Sequence, residues 1–290
     1  MPNTLGHFGI QGIVSRAAFR NIDVRWILLG CVLPDVAWII YRITRALAPA
    51  GTDPYFLRLY GASQATLLVS TILAGACAVM APRARAVFGV LALNALLHLL
   101  LDACQTKWGN GIHLFAPLSW RMEGFELFWP ESWISHLLTL TGVGFIAWSW
   151  RRGLWAPLPL AWRRWPIALL LFAVYLVLPI WMQSGAYDAD TYGARSLREN
   201  RVGASIGFDR EQVKKGEIHP WNERTYTLIG KSTEDAKTTS LRGVLVAPTT
   251  YRVDAVHDHG AFNRDWPSLA GLILLVSSML TGIVLAWRKP

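Results

Sequence analysis

Six apolar stretches, each close to the ~20 residues that cross a hydrocarbon core, leave this chain few choices of fold. They run 26–44, 64–82, 86–104, 132–150, 166–183 and 267–287. Only 16% of the 290 residues are charged, against roughly 25% in an ordinary soluble domain. The pattern predicts a mainly α fold, a polytopic membrane helix bundle. The first stretch carries Pro34 and Asp35 near its middle. Proline removes a helix hydrogen bond, and carbonyls unwound at membrane depth must be satisfied by protein or a wet cavity. The stretch therefore reads as a broken helix, spanning or re-entrant, that turns Asp35 inward. Ahead of it, residues 5–20 form an amphipathic piece too short to span, read as interfacial or re-entrant.

The charges divide at about Ser184. Residues 184–266 hold 12 basic and 12 acidic side chains, so the remainder carries the whole net charge of +9. Basic residues confined to the flanks of apolar segments are a topology signal and a contact with anionic headgroups. No basic patch interleaved with base-stacking aromatics is present, which excludes nucleic-acid binding. Under simple alternation, Arg16, Arg20, Arg25, Arg83, Arg85, Arg151, Arg152, Arg163, Arg164, Arg288 and Lys289 fall on one face. That face is cytoplasmic by the positive-inside rule, with both termini on it. Many of the 15 tryptophans stand near segment ends, as interfacial belts do. No cleaved signal is expected, and Cys31, Cys77 and Cys104 lack any pairing pattern and read as small buried hydrophobes.

The polar region 184–266 is then outside. Strand-like alternation in 224–232, 240–248 and 250–256, separated by Gly230, Gly243 and Pro248, predicts a small extracytoplasmic β-rich domain, a barrel or sandwich, inserted before the last transmembrane helix. Its start, 187–215, is weakly patterned and reads as helix or loop. The expected units are a bundle over 1–183, the β-rich domain over 184–266 and a final helix over 267–290.

Candidate chemistry concentrates in 93–121, LNALLHLLLDACQTKWGNGIHLFAPLSWR. His98 and Asp102 are four apart, so a helix sets them on one face. Imidazole and carboxylate are the usual ligands of zinc and related ions; a structural His–Asp hydrogen bond is the plainer alternative. Asp35 is a second candidate, although Pro-Asp at a helix start taken alone reads as an N-cap. His7 lies four residues before Gln11, so both can face the same way. His113, after the Gly109-Asn110-Gly111 turn, is a ligand, a substrate contact or loop surface, and His136 is similarly open. His257-Asp258-His259 superficially resembles a metal pair, but strand alternation reads as surface exposure. No serine-nucleophile, P-loop, zincin or dinucleotide motif is present.

The N-terminal MPNTLGHFGIQG, the Gly30–Asp35 G-x-x-LPD, and HLLLD followed by GNGIHLFAPLSW resemble the predicted membrane-bound, metal-dependent hydrolases of bacterial inner membranes. The resemblance covers roughly residues 1–150. It implies His7, Asp35, His98 and Asp102 as metal ligands. Where many members carry an H-R-G-x-T-H-S motif, this chain reads Leu59-Tyr60-Gly61-Ala62-Ser63-Gln64-Ala65, without histidine.

The expectation is a metal-dependent hydrolase of the inner membrane, its site at the outer membrane–water boundary, using a divalent ion, most plausibly zinc. Asp35 or Asp102 would orient water or take its proton, and His113 and Arg121 would contact the anionic headgroup of a lipid or other phosphoester. The alternative is a non-enzymatic envelope protein whose bundle anchors an outer β-domain that binds a partner or lipid.

Overall fold

A computed structural model describes residues 3–231, 237–260 and 265–288. Lys289 and Ser232, which the charge and strand patterns include, lie outside the described residues. Ten α-helices and five strands are described. Helix α1 (Thr4–Ala18) is followed by α2 (Val24–Gly30) and α3 (Asp35–Leu47), then α4 (Pro54–Gln64), α5 (Leu67–Val79) and α6 (Ala84–Ala103). After a long loop come α7 (Trp133–Arg151), α8 (Trp165–Asp188), the short α9 (Ala194–Arg198) and, beyond the strands, α10 (Asp265–Trp287).

Three helices are long and apolar enough to cross a membrane: α6, the α8 region and α10. Two bent pairs pass the same test together, α2 with α3 at 58° and α4 with α5 at 66°. The first bend is the break expected at Pro34. The second was not expected. Helix α4 ends at Gln64 with Ala65 as its cap, and Thr66 caps the next helix, its Oγ1 accepting from Val69 N at 3.4 Å. Helix α7 has a span's length, but Trp133, His136, Trp148 and Trp150 dilute its apolar character, and it is not among the candidate spans.

Helix α1 packs one side into the bundle, in line with the second of its two readings: His7, Phe8, Gln11 and Ser15 are buried, while Ile10, Ile13 and Val14 stay exposed. Its glycines permit this. A Cβ on Gly9 would stand 2.6 Å from Gly142 N, and one on Gly142 would overlap Leu5 O, so the α1 and α7 backbones touch as small-residue helix pairs do. Asn3 Nδ2 donates to Thr139 Oγ1 at 2.6 Å across the same seam. Thr4 borders Gly271 near the start of α10, whereas Trp287 at the end of α10 meets Trp162. The two described chain ends therefore lie at opposite ends of α10.

The strands form one curled five-stranded sheet and not a sandwich. They are β1 (Ser205–Gln212), β2 (Glu217–Ile218), β3 (Tyr226–Gly230), β4 (Thr238–Ala247) and β5 (Thr250–Asp258), in the order β1-β4-β5-β3-β2. Only the β3–β5 pair is parallel. β1 falls in the stretch read as helix or loop. Its Ile206 and Phe208 are buried, but β-bulge geometry and the left-handed Arg210 (φ 61°) blur the alternation after them. The sheet's core (Phe208, Tyr226, Leu241, Leu245, Tyr251) extends onto α4 through Tyr55 and Leu59, so the sheet is packed directly against the helices.

Crowding at the α1–α7 seam yields a test. Gly142→Ala should cost about 1–3 kcal/mol through overpacking and lower the thermal midpoint in detergent, whereas Gly144→Ala, with nothing within 4 Å of its Cβ, should be silent. Equal midpoints for both would remove the seam as a structural constraint.

Candidate metal centre

The break between α2 and α3 builds the site. Asp35 N bonds to Val32 O at 2.9 Å and Val36 N to Val32 O at 3.2 Å, so the Cys31 carbonyl has no partner in the helix. It points at α6, where it lies 2.6 Å from His98 Nδ1. A carbonyl only accepts, so Nδ1 carries the proton and the Nε2 lone pair faces away from it. Asp35 opens α3 but caps nothing: the N-terminus of α3 has no side-chain cap. Its Oδ1 instead stands 3.5 Å from His98 Nε2.

On α6, the i, i+4 spacing brings Asp102 Oδ2 to 3.6 Å from His98 Nε2. From α1, His7 stacks on His98 with ring centroids 3.9 Å apart and 4° between planes. His7 Nε2 reaches Asp102 Oδ1 at 3.6 Å. Its Nδ1 is 2.7 Å from Gln11 Nε2; an amide N–H only donates, so His7 Nδ1 accepts here, and Nε2 offers its lone pair to an ion only with the amide turned to present its oxygen. Further along the helices, Asn94 Nδ2 donates to Ser15 Oγ at 2.7 Å and ties α6 to α1.

The separations decide what the cluster can do. His7 Nε2, His98 Nε2, Asp35 Oδ1 and Asp102 Oδ1 are all buried, and among the described residues none has a hydrogen-bond partner. Gaps of 3.5–3.6 Å are too long for N–H···O bonds, which run about 2.7–3.2 Å. Two ligands bound at 2.0–2.1 Å to one tetrahedral ion sit about 3.3 Å apart. His7, His98 and Asp102 offer atoms that lie within 4.8 Å of one another and could hold a metal ion. Asp35 joins through its contact with His98. Lys107 Nζ is 3.7 Å from Asp102 Oδ1.

Two cavities open on Asp102 and Lys107, one of about 160 Å³ and one of about 370 Å³. The segment 109–111 borders both. It is held down by direct backbone contact, since a Cβ on Gly109 (φ 70°) would overlap Gly207 O of β1. His113 and Arg121 are not among the residues lining either cavity. Burial pushes the His113 imidazole down to about 4; its Nδ1 is 3.1 Å from Trp120 O and its ring lies 5.6 Å from Tyr192. Arg121 is exposed and faces Glu123 at 3.7 Å. His136 is exposed on α7, its Nδ1 3.1 Å from Ser132 O.

A second group was not foreseen. Glu131, from the loop before α7, meets His257 Nε2 at 2.5 Å and His259 Nδ1 at 3.1 Å. Trp129 stacks on His257 at 3.5 Å. The pair read as surface is thus covered by the loop before α7. This group could also hold an ion, but its spacings are those of hydrogen bonds. Burial drives the Glu131 carboxyl up, yet the bonds from His257 and His259 outweigh it and leave it below its ordinary 4.5. At His259 burial prevails over Glu131 and lowers the imidazole.

Searches of family models, curated proteins and solved structures find no match to this chain.

Gln11→Leu should weaken metal affinity about 10- to 100-fold, the usual effect of removing a group that orients a ligand; a competition titration measures it. Acid should loosen the Glu131 clasp. The depressed His259 makes the folded state resist protonation as pH falls through 6.5, and the depressed Glu131 loses its contribution as pH falls below 4.5 and through its folded value. Both signs agree, but between pH 7 and 5 only His259 acts, so hydrogen-exchange protection in β5, corrected for the intrinsic pH dependence of exchange, should fall over that range. Unchanged protection would remove the clasp as a pH-dependent contact.

Proposed function

We propose that this chain is a membrane-bound, metal-dependent hydrolase with its site at the outer membrane–water boundary. One observation carries the reading: four buried ligand-type atoms from α1, α3 and α6 face one another unbonded at 3.5–3.6 Å. The motifs that resemble the membrane-bound metal-dependent hydrolases include all four residues.

His7, His98 and Asp102 hold the ion, zinc by the match of two imidazoles and a carboxylate to its preferred shell. When bound, such an ion supplies Lewis acidity and lowers the pKa of its water toward ~7. Asp35, slightly exposed and outside the tightest group, takes the water's proton. Lys107 balances part of the charge of Asp102 and holds that carboxylate's orientation. The Cys31 carbonyl fixes the tautomer of His98, and Gln11 orients the His7 ring. The cavities beside Asp102 admit water and substrate.

For topology, Arg16, Arg20 and Arg83 border one cavity with residues 153–159, at the start of α6. His98 and Asp102 are near its other end, and its 20 residues measure about 30 Å. Placing the arginine end in the cytoplasm of a bacterial inner-membrane protein puts the site, the sheet and the start of α1 outside, and the end of α10 inside.

Purified protein should carry about one equivalent of divalent metal, lost in His98→Ala and Asp102→Ala. Asp35→Asn should keep the metal and lose at least about a hundredfold in turnover of a panel of chromogenic phosphate and carboxylate esters, a typical general-base effect. Equal metal content in wild type and His98→Ala would sink the proposal.

A further inference from the structure

The larger cavity, about 370 Å³ between α3, α4 and the sheet, is built around a cation. The Arg58 guanidinium lies 4.6 Å from the Tyr192 ring centroid, 5.0 Å from Trp38 and 5.7 Å from Tyr41 and Trp221. Aromatic faces hold a guanidinium in place without neutralising it and leave its in-plane N–H groups free to donate. Arg58 Nε is buried and without a hydrogen-bond partner among the described residues. One wall of this cage is under backbone strain: Tyr192 has φ 56°, a left-handed conformation costly for a bulky residue. Its hydroxyl donates to Gly111 O at 3.3 Å, joining the cage to the loop beside Asp102.

The same cavity is lined by Arg42, Arg45, Lys107 and Arg210. Against these stand three carboxylates, Asp102, Asp209 and Glu211. Asp102 is committed to the metal centre, and burial pushes the Glu211 carboxyl up to about 7, which reduces its charge at neutral pH. The space is therefore cationic, and it reaches the metal centre through Asp102 and Lys107.

We propose that this cavity binds the phosphate of a phosphate ester, with Arg58 as its bidentate anchor and the sheet as its outer wall. The assignment rests on the hydrolase reading for its chemistry, but its binding site is separate from the metal ligands. Hydrolysis of such an ester needs only water: the water oxygen joins phosphorus, the P–O bond to the alcohol breaks, and the two protons of water end on the released alcohol and phosphate. The phosphate can belong to a lipid headgroup or to a soluble ester, since the groups that recognise it are the same.

Inorganic phosphate binding to the full-length, metal-loaded protein in detergent, followed by calorimetry, tests the site. Arg58→Gln should weaken binding at least about tenfold, as loss of a charge-assisted bidentate contact does, with metal content unchanged. Arg58→Lys, which keeps the charge without the fork, should lose several-fold and serves if Arg58→Gln fails to fold. Competition by glycerol 3-phosphate and by phosphatidic acid in mixed micelles separates the sources, the true class competing at lower concentration. Phosphate affinity unchanged in both variants, or no phosphate binding at all, overturns the site. The two proposals fail separately. Arg58-dependent phosphate binding by a protein that takes up no metal removes only the hydrolase; normal metal uptake with Arg58-independent binding removes only this inference.

Discussion

The interruption at Cys31–Pro34 is the constraint on which the site depends. A continuous helix would spend the Cys31 carbonyl on its own backbone and set Asp35 on a regular face. The break releases that carbonyl to fix the His98 ring at 2.6 Å and starts α3 with an acidic side chain that caps nothing. Such an opening is tolerated only because α6 covers it: Gly30 packs against Leu91 and Asn94. The usual cost of unwinding a helix in an apolar setting is thereby offset by a specific hydrogen bond in a protein-lined space.

The two histidine-carboxylate groups show why distance matters more than composition. Both contain two histidines near an acid, and both could hold an ion. Around Glu131 the atoms have closed to 2.5 and 3.1 Å, so each group already satisfies its neighbour and the cluster serves as a clasp between the loop before α7 and β5. Around Asp102 the atoms stop at 3.5–3.6 Å although all are buried. Packing holds them apart: the stacked imidazoles and the α1–α7 glycine seam fix His7, and the Cys31 carbonyl fixes His98. Buried polar atoms without partners cost on the order of 1–3 kcal/mol each, a cost that a ligand between them would offset.

The sheet acts as part of the site's enclosure. β1 touches the 109–111 segment through Gly207, Tyr192 joins that segment to the Arg58 cage, and the Glu131 clasp fastens β5 to the loop before α7. The glycines at 109 and 207 are needed because any Cβ there would overlap the other backbone. An outer domain that merely hung from two helices would require none of these contacts.

Much of the arrangement follows from local pattern. The apolar lengths, the break at Pro34, three of the five strands and the i, i+4 pairing of His98 with Asp102 are properties of neighbouring residues, readable without coordinates. What the pattern missed depends on long-range approach. Gly9 and Gly142 are far apart in the chain, so nothing local announced that α1 enters the bundle and brings His7 onto His98. The bulged β1 hid its alternation, and Glu131 gave no sign of meeting two histidines 126 and 128 positions away. Nothing local marked Arg58, because its aromatic cage is drawn from three separated segments. The sequence by itself determined which residues could ligate, through their chemistry and helical spacing. Only the tertiary structure decided which of them converge, because ligand distance is set by how helices pack and not by the order in which they occur.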